Sequence, residues 1–145
     1  MIIVKNQLNK KEEQFFRIFL AELTDFYSDF YITKDRIRLD IKENVDLFLK
    51  EAKKGNKLLY GEKEGIAGIV GYADNFPRKY LKILAKDENG ADKLVRRAIE
   101  IVDCDLWAKI KKKNPLIKIL YNNGFIHKGN RGKELLMYYE KYKNK

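Results

Sequence analysis

Asn114-Pro115-Leu116-Ile117-Lys118-Ile119-Leu120-Tyr121-Asn122-Asn123-Gly124-Phe125 decides how the chain is to be read, because both ends of a short helix are written into it. Asn114 offers a side-chain oxygen to a first-turn amide, and Pro115 stands where a missing N–H costs nothing. Gly124 can adopt the left-handed backbone that stops a helix, and Phe125 can pack back over the last turn. The spacing predicts a helix of about two and a half turns.

Both flanks of this helix read as strands. Upstream, Asp105 to Lys111 alternates, with Leu106, Ala108 and Ile110 on one face and Trp107, Lys109 and Lys111 on the other, the pattern of a half-buried strand. Downstream, Ile126-His127-Lys128 and Glu134 to Tyr139 form a hairpin around a glycine-bracketed turn, Gly129-Asn130-Arg131-Gly132.

Further upstream the period switches between helical and extended. Ile2 to Lys5 is a short strand, and Asn9 can cap the helix after it. From Lys10 to about Tyr27 an apolar stripe runs through Phe15, Phe16, Phe19, Leu20, Leu23 and Phe26. Tyr27 to Leu39 fits a loop, a short strand or a broken helix, and Asn44 to Lys54 is again helical, ended by Gly55. Lys57 to Tyr60 and Gly65 to Tyr72 flank the charged tip of a hairpin at Glu62 to Gly65. Pro77 separates that hairpin from another alternating strand, Lys79 to Lys86. Ala91 to Val102 then turns Leu94, Val95, Ala98, Ile99 and Val102 to one side.

A chain of 145 residues with 45% hydrophobic and 12% aromatic content suits one domain with a real core, and no linker or repeat divides it, so residues 1–145 are read as a single unit. One cysteine, Cys104, excludes an internal disulfide, and with one histidine it leaves no recognisable zinc set, so no metal site is expected. Cys104 reads as a small buried hydrophobe and His127 as an exposed or satisfied ring. No apolar run approaches a membrane span, and a cytoplasmic setting is expected. The net charge of +10 is one-sided: residues 1–75 hold 13 basic and 13 acidic side chains, residues 76–145 hold 18 and 8. Such a surplus concentrates anionic ligands, whether a phosphorylated cofactor or a nucleic acid, or it is simply a solvated surface. Lys109, Lys111, Lys112 and Lys113 are its densest part, without the interleaved aromatics of a clear nucleic-acid platform.

The element order, with a capped helix ending Tyr121-x-x-Gly124-Phe125 between a strand and a terminal hairpin, resembles the GNAT superfamily of N-acetyltransferases along the whole chain. The resemblance implies a mixed α/β fold. Its sheet would be mostly antiparallel, with a splayed central parallel pair, Tyr80 to Lys86 and Leu106 to Lys111, and helices on both faces. It also implies acetyl-coenzyme A (acetyl-CoA) as acyl donor, lying in the opening between those strands along Ile83, Leu84 and Ala85. Its pyrophosphate would rest on the next helix N-terminus. The family's phosphate loop is matched loosely, by Lys86, Asn89 and Ala91 with Gly90 between the last two. Asp87, Glu88 and Asp92 depart from it, since carboxylates repel a pyrophosphate unless they point away.

On the second strand's side, the resemblance gives Asn114 a contact with the cofactor or the amine. It makes Tyr121 the general acid for the departing thiolate, a reasonable transfer between a phenol of pKa about 10 and a thiol of about 8.5. Asp74, near Tyr72, is the candidate base, or equally a turn former before Pro77. The expected acceptor is an amine on a small molecule or a protein, with nucleic acid an alternative, and the protein itself is expected to be a monomer or a homodimer. The competing reading is a GNAT-like fold that has lost turnover and serves as a binding module.

Overall fold

The computed structural model describes residues 2–5, 9–14, 27–28, 57–70 and 78–142. The expected helix at Asn44 to Lys54, most of the helix from Lys10, and Tyr72, Asp74 and Pro77 lie outside the described residues. Among the described residues eight strands form one sheet: β1 (Ile3–Lys5), β2 (Tyr27–Ser28), β3 (Lys57–Gly61), β4 (Gly65–Val70), β5 (Lys79–Ala85), β6 (Leu106–Lys111), β7 (Ile126–Arg131) and β8 (Glu134–Tyr139). Two described helices, α1 (Glu88–Ile101) and α2 (Leu116–Asn122), follow β5 and β6. The sheet order is β1-β3-β4-β5-β6-β8-β7, with β2 on β5. The β5–β6 pair is parallel and the other described pairs are antiparallel. This is the mixed, mostly antiparallel α/β architecture expected from the sequence.

Alternation decides which face of the sheet carries the core. Leu81, Ile83 and Ala85 of β5 join Leu106, Ala108 and Ile110 of β6 and Met137 and Tyr139 of β8 against Leu94, Val95 and Ala98 of α1 and Leu116, Ile119 and Leu120 of α2. Both described helices therefore cover one face. Tyr80, Trp107 and Leu136 belong to a separate, smaller cluster on the other.

The end of α2 is the sharpest local feature. Gly124 has φ 94°, and the Phe125 amide donates to the Leu120 carbonyl at 3.0 Å while the Gly124 amide donates to that of Tyr121 at 3.1 Å. These bonds satisfy the last carbonyls of the helix and turn Phe125 inward, where it is 1% exposed and lies 5.5 Å from the Tyr139 ring. At the start of the helix, Asn114 Oδ1 accepts from the Leu116 amide at 2.9 Å. A reciprocal cap also marks the helical segment at residues 10–14: Glu12 N donates to Asn9 Oδ1, and Asn9 N donates back to Glu12 Oε1. The Lys5 ammonium reaches the same carboxylate and ties β1 to that helix.

Two boundaries differ from the sequence reading. The last hairpin turns at Gly132-Lys133 and not across Gly129 to Gly132: Arg131 pairs with Glu134, and Gly132 has φ 62°, the glycine-first pattern of a two-residue turn. Gly129 marks a bulge, which His127 pins by directing Nε2–H at the oxygens of Gly129 and Asn130, each at 2.9 Å. The helix after β5 begins at Glu88 and not Ala91, because Asp87 caps it. Asn89 and Gly90 are thus its first turn and not a loop.

Replacing Phe125 with Ala removes a fully buried ring and leaves a cavity, so denaturant unfolding is expected to show a loss of about 3–5 kcal/mol.

Candidate functional site

The central feature is the separation of β5 from β6. Among the described residues the two strands pair at Lys79↔Leu106 and Tyr80↔Trp107 and no further, although β5 runs on to Ala85 and β6 to Lys111. The helices that follow each strand pack against one another beneath the gap. The Asn123 side-chain amide at the end of α2 donates to Asp92 Oδ1 of α1 at 2.9 Å, and Leu94, Leu116 and Leu120 share the core beneath. The result is a slot between parallel strands, narrowest at Tyr80 and Trp107.

The β5 wall of this slot carries an informative contact. Tyr27 pairs with Ala85 and Ser28 with Leu84, antiparallel, while β4 pairs with the same two residues through Gly65 and Ile66. Leu84 and Ala85 thus have a strand on each edge. The slot-side edge of β5 can plainly take an extended, amide-bearing chain, because the protein's own backbone lies along it.

The start of α1 is similarly supplied. Asp87 Oδ1 accepts the Gly90 amide at 2.7 Å, and the Asp87 carbonyl accepts that of Ala91 at 3.0 Å. The helix start therefore already binds an anion, its own capping carboxylate. Of the residues matched to the phosphate loop, Lys86 and Asn89 are exposed, whereas Ala91 is fully buried in the core. Gly90 is needed for a reason internal to the chain: a Cβ there would lie 2.6 Å from the Glu64 carbonyl in the β3–β4 turn. The Lys86 amide donates to that same carbonyl at 3.0 Å, so the turn steadies the strand-to-helix junction. Asp92, an acidic departure in sequence, is turned aside to Asn123 and to Arg96, whose Nε lies 2.9 Å away. Asp87 and Glu88 remain exposed at the helix start.

On the β6 side, Asn114 is half-buried and uses its side-chain oxygen to cap α2. Tyr121, in the last turn of that helix, is 47% exposed and stands outside the core. His127 is spent on the β7 bulge, and Cys104 packs against the edge of the core. Among the described residues no group of His, Cys, Asp or Glu could hold a metal ion. No described helix is long and apolar enough to cross a membrane.

Sequence reasoning missed one group on the face away from α1 and α2. The Trp107 and Tyr138 rings lie 4.5 Å apart, with Arg78 4.1 Å from the Trp107 centroid and Lys128 Nζ 5.3 Å from that of Tyr138. The outward alternation of Trp107 and Lys109 is a visible signal, but the partners come from β7, β8 and the residue just before β5.

The chain has the fold of the GNAT N-acetyltransferases. It superposes on the PaiA N-acetyltransferase of Thermoplasma acidophilum in complex with coenzyme A with a TM-score of 0.70, at 14% identity over 97% of this chain and 99% of that one. A spermidine N-acetyltransferase chimera of Vibrio cholerae SpeG and hSSAT gives 0.66, at 15% identity over 98% and 96%. The Campylobacter jejuni N-acetyltransferase PseH in complex with acetyl coenzyme A gives 0.58, at 18% identity over 97% and 99%. No family model matches the sequence, and no curated protein does.

Tyr138 offers a test of the geometry on the face away from α1 and α2. Its hydroxyl donates to Asp105 Oδ2 at 2.6 Å, and this bond, with burial and the carboxylate charge, pushes its pKa up to about 12. The raised value means that the bond stabilises the folded chain fully below the ordinary tyrosine pKa of about 10 and is lost as pH rises through about 12. In Asp105→Asn, a tyrosinate absorbance titration should show one phenol moving down towards the ordinary range; an unchanged titration would mean the bond is not formed in solution.

Proposed function

We propose that the chain is an N-acetyltransferase that moves an acetyl group from acetyl-CoA to an amine by direct transfer. The observation that carries this reading is the two-rung pairing of β5 and β6, which opens a slot whose β5 edge accepts an extended backbone. The residues present suit the cofactor at both ends. Residues 27–28 stand in for an amide-bearing arm along Leu84 and Ala85, and the Asp87 carboxylate stands in for a phosphate at the start of α1. Binding therefore requires residues 27–28 to leave β5. Acetyl-CoA would supply the activated acetyl thioester.

The chain's own groups do the rest. Ile83, Leu84 and Ala85 offer the strand backbone. Lys86 brings a positive charge, and Glu88 and Asn89, as the first residues of α1, carry amides with no acceptor inside the helix. Asn114 sits on the opposite wall, at the cap of α2. Tyr121 Oη holds the proton that the leaving sulfur needs, and an exposed hydroxyl near the end of α2 is free of the core for that purpose. Asp74 is retained as the candidate base, a proposal from the sequence alone.

The self-occupied slot and capped helix start favour one second reading, a GNAT-fold binding module that no longer takes acetyl-CoA. Calorimetric titration with acetyl-CoA separates the two: saturable binding supports the enzyme, and no binding supports the module. Asp87→Asn keeps a capping oxygen but removes a negative charge, so it should tighten acetyl-CoA about fivefold. Tyr121→Phe should slow acetyl transfer about 100-fold while leaving acetyl-CoA affinity unchanged; equal rates would remove Tyr121 from the mechanism.

A further inference from the structure

On the face away from α1 and α2, the strand register lines up Tyr80 of β5, Trp107 of β6 and Tyr138 of β8 in one row, with Ile126 of β7 beside Tyr138. Cations sit on these rings. Arg78 lies over Trp107 at 4.1 Å, Lys128 over Tyr138 at 5.3 Å, and Lys109 over Tyr80 at 5.0 Å. Trp107 and Tyr138 remain partly exposed, whereas Tyr80 is buried, so the accessible part of the row lies over β6 and β8. It crosses the sheet where the slot is narrowest, at the Tyr80↔Trp107 pair.

We propose that this strip selects the acceptor: a small amine that also carries phosphate or carboxylate. The proposal rests on the acetyltransferase reading. The strip lies on the face away from α1 and α2 at the closed end of the slot, where an acceptor reaching that end meets Trp107 and Tyr138. A ring beneath a guanidinium or ammonium fixes its position while leaving N–H groups at its rim to donate to an anion, so little ordering is lost on binding. Asp105, which accepts from the Tyr138 hydroxyl and the Lys141 amide, and Glu140 both place negative charge beside Tyr138, while Glu134 lies at the far end of β8. The three cations outnumber these two carboxylates, and the field is most positive around Arg78 and Trp107. It draws an anionic group and repels a polyamine, while the Trp107 and Tyr138 rings offer a flat apolar seat for the rest of the molecule.

Trp107 is the only tryptophan of the chain, so its fluorescence reports binding on this face without acetyl-CoA. The purified full chain is titrated with glucosamine 6-phosphate, phosphoethanolamine and glutamate. Glucosamine, ethanolamine and glutamine serve as the counterparts lacking the extra anionic group, and spermidine as the polycation. At least one phosphate or carboxylate amine should bind about tenfold or more tightly than its counterpart, and Arg78→Gln and Lys128→Gln should each weaken it about tenfold. The phosphate and carboxylate arms then tell which anion is preferred. If every anionic amine binds no better than its counterpart, if spermidine binds best, or if both variants bind as the parent does, the proposal is overturned. Anion binding without acetyl-CoA binding would leave the strip standing and remove the transferase reading. Acetyl transfer to spermidine with no effect of either variant would do the reverse.

Discussion

Everything that could be functional here depends on two parallel strands being kept apart. Unpaired strand edges are costly inside a fold, and β5 and β6 would gain hydrogen bonds by zipping along their full length. Among the described residues they do not: residues 27–28 pair with β5 at Leu84 and Ala85, and the helices that follow the two strands pack together on one face through a shared leucine core and the Asn123–Asp92 bond. The glycines at the junction serve that geometry. Gly65 lets the β3–β4 hairpin lie against Leu84, where a Cβ would meet the carbonyl at 2.3 Å, and Gly90 lets the same hairpin's turn abut α1.

The slot is also chemically answered by the chain itself. A backbone segment pairs with its wall and a carboxylate caps its helix, so the proposed ligand would enter by an exchange of partners and not by filling a void. Exchange lowers apparent affinity by the fraction of molecules in which the segment has left. The acidic residues beside the proposed phosphate site are already engaged: Asp92 is diverted to Arg96 and Asn123, and Asp87 is spent on the Gly90 amide. The basic surplus of the second half of the chain lies in part on the opposite face, where Arg78, Lys109 and Lys128 rest on aromatic rings.

Much of this was readable from local pattern. The cap at Asn114, the stop at Gly124 and the inward Phe125 follow from turn chemistry within a dozen residues, and the alternation of β6 named its buried face correctly. Asp87, an unfavourable charge by sequence, is the helix cap; a capping residue and an acidic departure look identical in sequence. The hairpin tip was placed early because Gly129 marks a bulge, which a string of residues cannot distinguish from a turn. The pairing of residues 27–28 with β5 and the row Arg78, Trp107, Tyr138, Lys128 were out of reach, since each joins residues far apart in the chain through sheet register alone.

Backbone hydrogen exchange along β5 and the start of α1 probes the slot most directly. Adding acetyl-CoA should alter exchange at Leu81 to Ala85 and at Glu88 and Asn89, while β7 and β8 stay as they were. Exchange that is unchanged throughout β5 and α1, or altered only in regions away from the β5–β6 slot, would contradict the account.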